Sequence, residues 1–321
     1  MITVYRFSGK GVLEGAIDDL SKSKKCWADV VNPTRAELEL ISQKAHIPYA
    51  DLMHSVDRNE RPSVSDFAEY SSIIVRAPWH QNGNAKTIPL TIFISKNKNN
   101  VITIAMKELP SNVLIRNLVK NGKIDLQKES MSFLVYNLLD HMFDSYFAVL
   151  EVVEDNIDKI ENMVIRNADT MTVESIISVK KTLIFFNKAL TANREVIISV
   201  EKEYLNQIDK KNIKRFRALY SEVTQLIDMV NTYRDIMSGT LDIYMSSVSN
   251  SLNKVVKTLT IITAFIMVPT LIGSIYGMNF QTDSAYNMPE LKWKYGYVFA
   301  LALMVLSVFG TYLFFKWKKW V

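Results

Sequence analysis

Two stretches near the C-terminal end constrain this chain more than any other feature: Thr258 to Thr282 and Tyr295 to Phe315 run for 25 and 21 residues without a charged side chain. A helix of about 20 apolar residues is enough to cross a bilayer. Lys254 and Lys257 precede the first run, and Lys316, Lys318 and Lys319 follow the second. Basic residues collect on the cytoplasmic side of spanning helices, so both flanks and both termini are expected there. The connecting loop, Gly277 to Lys294, then faces outward, although its own Lys292 and Lys294 reduce the asymmetry. Trp293, Tyr295 and Tyr297 at one edge and Trp317 and Trp320 at the other suit the lipid–water interface. The lipid bilayer is therefore the first expected partner.

Upstream, the stretch from Lys123 to Met267 has no proline and a single glycine, Gly239. So few breakers over so long a stretch predict extended helices, at about 128–165, 173–204 and 209–274. If the last is continuous, its roughly 66 residues measure about 100 Å, a stalk running into the first span. The acids Glu151, Glu154, Asp155, Asp158 and Glu161 in the first of these helices read as a solvated face. The first 108 residues are different. Short β-branched or aromatic runs predict strands at Ile2–Phe7, Trp27–Val31, Tyr70–Arg76, Pro89–Ser95 and Asn100–Ala105, with a helix over Thr34–Ala45. Gly9, Gly11 and Gly15 lack the lysine and hydroxyl of a phosphate loop and read as a plain turn. The expected fold is an α+β membrane protein in three parts: an α/β domain (1–122), a long-helix region (123–254) and a two-span domain (255–321).

Composition excludes several functions. The net charge of +5 arises partly from short clusters, Lys22, Lys24 and Lys25, then Lys96 and Lys98, with no interleaved aromatics, so no nucleic-acid partner is expected. A single cysteine, Cys26, forbids an intramolecular disulfide, and the opening Met-Ile-Thr-Val-Tyr-Arg-Phe does not look like a cleaved signal. His46, His54, His80 and His141 have neither paired cysteines nor an H-E-x-x-H spacing, and no G-x-S-x-G is present. The sequence offers no set of residues for an enzyme and calls for no organic cofactor.

Along the first span, Val256, Leu259, Thr263, Met267, Thr270 and Ser274 follow at intervals of three or four and share one helical stripe. Hydroxyls there can line water or cement helix contacts. Two helices cannot enclose a pore, so transport would require an oligomer with this stripe on its axis. Pro269 removes one backbone hydrogen bond and permits a bend.

The outer end of that span reads Tyr276-Gly277-Met278-Asn279-Phe280, followed by Met288-Pro289-Glu290-Leu291, Trp293 and Gly296-Tyr297. This resembles the CorA family of divalent-cation channels, whose hallmark is a Gly-Met-Asn motif closing the first of two C-terminal spans. Other residues agree in order: Pro269–Leu271, Ser247 to Asn250 and Asn253, Asp140, Arg194-Glu195, and in the first domain Trp27, Asp29, Pro33, Glu37-Leu38, Arg61-Pro62 and Ile102-Thr103. The resemblance implies a homopentameric funnel in the plasma (inner) membrane, passing Mg²⁺ and also Co²⁺ or Ni²⁺ inward. Gly277, Met278 and Asn279 would form the selectivity filter, with Met288, Pro289, Glu290 and Leu291 in the outer loop. Ser274, Thr270, Met267, Leu259 and Val256 would line the pore, Val256 replacing the family's usual methionine.

The sequence departs from the family in two places. The segment that supplies acids to an intersubunit Mg²⁺ site reads Leu52-Met53-His54 here, and the facing stalk position is Ala218. Closure by cytoplasmic Mg²⁺ is therefore expected to be weakened or rewired, with Asp140 left as a possible regulatory ligand. The seven residues from Gln281 to Asn287 lengthen the outer loop, where Asp283 and Glu290 could concentrate cations. Two rivals to a Mg²⁺ channel stay open: a Zn²⁺ transporter of the same architecture, and a membrane-anchored cation sensor or scaffold that does not conduct.

Overall fold

Short β-branched and aromatic runs build a seven-stranded sheet, buried continuously at its centre in β3 and β7, from β1 (Ile2–Ser8), β2 (Gly11–Gly15), β3 (Cys26–Val31), β4 (Ser63–Asp66), β5 (Tyr70–Gln81), β6 (Asn84–Ser95) and β7 (Asn100–Ala105). The computed structural model describes residues 1–8, 11–21, 25–81, 84–97, 99–166, 170–202, 205, 207–279 and 286–320. The spatial order is β2-β1-β3-β7-β6-β5-β4, antiparallel throughout except between β3 and β7. A parallel pair needs a crossover. Here it includes α1 (Arg35–Ala45) and α2 (Tyr49–His54). Thr34 caps α1 through a reciprocal capping box with Glu37, closing two otherwise orphaned donors. Leu38, Ile41 and Leu52 from these helices pack with Val4, Ala28, Val30 and Ile104 of the sheet in one buried cluster.

All five expected strands are present, and β5 and β6 extend beyond the expected limits into a long hairpin. The Gly11–Gly15 segment is a strand paired with β1, not a turn. Gly9 lies outside the described residues, as do Lys22, Lys24 and Lys98. The strand β4 and the helix α3 (Pro110–Lys120) also go beyond the sequence expectation.

Three long helices follow: α4 (Met131–Arg166), α5 (Thr170–Glu201) and α6 (Lys210–Tyr276), with α7 (Gly296–Trp317) at the end. Their limits fall within about three residues of those expected, apart from Tyr204, which lies outside the described residues. The chain divides into two compact units, Met1–Asp242 and Ile243–Val321. Within the first, Asn193 of α5 fastens helix to sheet. Its side-chain amide accepts from the Arg76 backbone N–H (2.9 Å) and donates to the Arg76 carbonyl (2.8 Å), which also accepts from the Tyr146 hydroxyl of α4 (2.8 Å). The β4 pairing ends at Ser63 opposite Ile74, so the amide acts as a substitute strand where Arg76 has no neighbour on that edge.

Candidate functional site

The second unit holds the Gly277-Met278-Asn279 motif, the stripe and the outer turn. The helices α6 and α7 each carry a window long and apolar enough to cross a membrane. Phe265 meets Phe315 with ring centroids 6.1 Å apart, and a Cβ on Gly273 would sit 3.4 Å from Met304, so one side of α6 faces α7. The stripe lies on the other side. Val256, Leu259 and Met267 are 55%, 62% and 61% exposed, and Thr263, Met267, Thr270 and Ser274 share a shallow open concavity. Thr263 donates its hydroxyl to the Leu259 carbonyl (2.8 Å) and Thr270 to the Ile266 carbonyl (2.7 Å). With the protons tied to the helix, each oxygen turns only acceptor lone pairs outward. Such a surface suits the outward-pointing hydrogens of a hydrated cation.

The helix stops at the motif. Gly277 donates to the Gly273 carbonyl (2.9 Å) and Met278 to the Ile275 carbonyl (3.2 Å), closing the last turn and leaving Asn279 exposed beyond it. A Cβ at Gly277 would lie 3.2 Å from the Gly273 oxygen, tighter than ordinary contact. The outer residues Met288, Pro289, Glu290 and Leu291 form a short 3-10 turn over Pro289–Lys292, entered through Met288 at φ 47°. Tyr276 donates to Glu290 Oε1 (3.2 Å), tying that turn to the end of α6, a tether that sequence alone does not reveal. Phe280 and the insertion as far as Ala285, including Asp283, lie outside the described residues.

The positions that the resemblance marks as regulatory lie in the first unit. Met53 is partly buried against the α1–α2 core, whereas His54 projects outward and its Nδ1 meets Glu60 Oε2 at 3.3 Å. The two side chains do not share surroundings. Ala218 is exposed on α6 and has no polar atom to offer. Asp140 on α4 is half-buried and accepts from the Tyr136 hydroxyl (2.8 Å). It offers a ligand atom within 4.8 Å of those of His141 and Asp144, both missed by the sequence reading although i, i+4 spacing puts Asp140 and Asp144 on one face. Burial, reinforced by the Asp144 charge, raises the Asp140 pKa, and burial with the Asp140 and Asp144 charges also raises that of Glu222 on α6. Extra positive charge would be welcome at such a cluster.

A helix pair long and apolar enough to cross a bilayer, with a stripe of mixed apolar and hydroxyl side chains ending in an exposed asparagine, is the arrangement expected of a membrane transport protein. The chain belongs to the CorA-like Mg²⁺ transporter protein family, whose model matches residues 22–318. It is 31% identical over 326 residues to the cobalt/magnesium transport protein CorA of Methanocaldococcus jannaschii, covering all of both chains. It is 34% identical over 263 residues to the protein of the same name from Thermotoga maritima, covering 82% of this chain and 74% of that one. The complete structure of the Methanocaldococcus jannaschii CorA magnesium transporter superposes with a TM-score of 0.89 at 28% identity, over 100% of this chain and 99% of that one.

Proposed function

We propose that this protein is a Mg²⁺ influx channel, able also to pass Co²⁺ or Ni²⁺, built as a homopentamer in the plasma (inner) membrane with both termini in the cytoplasm. The observation that carries the reading is Asn279, exposed where α6 ends at Gly277 and Met278, above a stripe of outward acceptors. Mg²⁺ holds its water shell tightly, so a ring of carboxamide oxygens selects it by accepting hydrogen bonds from those waters. A neutral ring holds the ion weakly enough for release. Ser274 and Thr270 continue the acceptor path, while Met267, Leu259 and Val256 supply the apolar constriction that gates by dewetting. A doubly charged ion gains about 4.6 kcal/mol per 100 mV of inside-negative potential, so inward flux needs no nucleotide. The α/β part (1–122) and the long-helix part (123–254) act as the sensor for the pore part (255–321). Met53, His54 and Ala218 replace the acids that would hold an intersubunit cation, so control by internal Mg²⁺ falls mainly to Asp140 and its neighbours and is weak.

The test is Mg²⁺ uptake into proteoliposomes with internal Mg²⁺ varied. Asn279→Ala is expected to lower uptake at least tenfold while the oligomer survives in size-exclusion chromatography, and wild-type uptake should barely respond to internal Mg²⁺. No wild-type Mg²⁺ flux at any internal concentration would sink the reading. Zn²⁺ flux in its place would favour the zinc transporter, and no flux of either ion the scaffold.

A further inference from the structure

The guanidinium of Arg76 is half-buried and fixed without an anionic partner. Nε donates to Thr87 Oγ1 (2.9 Å), one terminal nitrogen to the carbonyls of Arg58 (3.2 Å) and Glu60 (2.9 Å), and the other to the Thr87 carbonyl (2.6 Å). Four of its five N–H groups are used, all on neutral oxygens. Hydrogen bonds to carbonyls orient the group but leave its charge uncompensated. Burial accordingly pulls its pKa below the usual value.

Arg76 stands where two hollows meet. One, of about 540 Å³, adds Arg61 and Lys188; the other, of about 500 Å³, adds Lys86 and Lys181; Thr87 and Phe185 line both. Among the described residues none of these five cations makes an ion pair. The acid in the lining, Glu60, already has its carboxylate on His54. Five unpaired cations around concave walls repel one another and concentrate anions. Cavities of roughly 300–1,000 Å³ fit small molecules, and guanidinium and ammonium groups bond phosphoryl oxygens strongly. Phe185, 50% exposed at the junction, adds an aromatic face on which a flat ring can stack.

We propose that the paired hollows around Arg76 bind a phosphate-bearing small anion, its phosphoryl oxygens held among Arg61, Arg76, Lys86, Lys181 and Lys188. Free polyphosphate and a nucleoside triphosphate share this chemistry and differ in whether Phe185 contributes. Binding is measured directly, so the outcome is independent of the transport reading.

The experiment is calorimetric titration of the full-length protein in detergent micelles, in Mg²⁺-free buffer, with inorganic tripolyphosphate and with ATP. Saturable sub-millimolar binding of at least one probe is expected. The double variant Lys181→Glu, Lys188→Glu should weaken it about tenfold or more at unchanged melting temperature, since both side chains are exposed. Phe185→Ala that weakens ATP several-fold and spares tripolyphosphate identifies a nucleotide; equal indifference of both probes identifies free polyphosphate, and either pattern supports the site. Absence of saturable binding by both probes overturns the proposal. So does binding that the double variant leaves unchanged, because the anion would then sit elsewhere.

Discussion

The two units treat polar and apolar groups in opposite ways. In Met1–Asp242 the most buried acidic side chain is held by several donors: Asp29, 1% exposed, accepts from Thr103 (2.7 Å), Asn112 (3.0 Å) and Arg116 (3.0 Å), while Trp27 donates to Thr103 (3.0 Å). In Ile243–Val321 the Thr263 and Thr270 hydroxyls are satisfied along their own helix, and it is large apolar side chains such as Leu259, Met267 and Phe309 that lie open. A water-soluble core cannot leave that much apolar surface unpaired. In the proposed assembly, lipid on one side and further copies on the other would cover it, whereas the first unit closes on its own side chains. Removing a polar partner should therefore damage the first unit most, and adding bulk near a tight turn the second.

The largest effect expected from this contrast is at Arg116, whose side chain is 13% exposed and faces both Asp29 and Glu108. Arg116→Ala leaves a carboxylate buried without its counter-charge, at a cost of about 3 kcal/mol. Burial holds the Asp29 pKa above the usual carboxylate range, and Thr103, Asn112 and Arg116 pull against it. Losing Arg116 raises it further. A folded pKa above the unfolded one means that protonation favours the folded state, so the variant should recover stability as pH falls into the carboxylate range. Urea unfolding followed at several pH values measures both effects. A cost near zero at neutral pH would show that the neutral donors alone suffice for Asp29.

The next effect belongs to the second unit. A Cβ on Gly296 would overlap the Glu290 carbonyl oxygen, which already accepts from Trp293 (3.1 Å). Gly296→Ala must push the 3-10 turn away from the start of α7, at about 2 kcal/mol of local stability. Amide exchange at Leu291, Trp293 and Gly296 would accelerate about 30-fold, that same energy expressed as an equilibrium constant. Exchange in β3 and β7 would stay as it was. Protection unchanged at the turn would mean that it is already open.

How far the sequence foretells this molecule follows the range of the interactions. The spans, the long helices and α1 rest on local patterns, namely a charge-free run, an absence of breakers and apolar residues at helical spacing, and they are legible. The strands β2 and β4 are short, and glycine bounds one while serine and aspartate dominate the other, so pairing with β1 and β5 creates them and propensity does not. At the candidate site the motif marks Asn279, but the Tyr276 contact with Glu290 spans a loop and has no sequence period. The basic hollows escaped for the same reason. Arg61, Arg76, Lys86, Lys181 and Lys188 come from four segments that only the fold gathers.

The smallest effect is at His54, and it tests whether a departure from the family pattern has become structural. Its contact with Glu60 is a surface pair, with the imidazole side chain 62% exposed, and such pairs contribute about 0–1 kcal/mol. His54→Ala should shift unfolding by no more than about 0.5 kcal/mol. Its neighbour Met53, packed against the core, should cost more as Met53→Ala, about 1–2 kcal/mol for a partly buried side chain. The order matters beyond the two residues, because Glu60 also lends its backbone carbonyl to the Arg76 guanidinium. If His54→Ala proves the costlier substitution in urea unfolding, the 54–62 segment depends on that contact. His54 and the wall of the basic hollow would then open and close as one cooperative element.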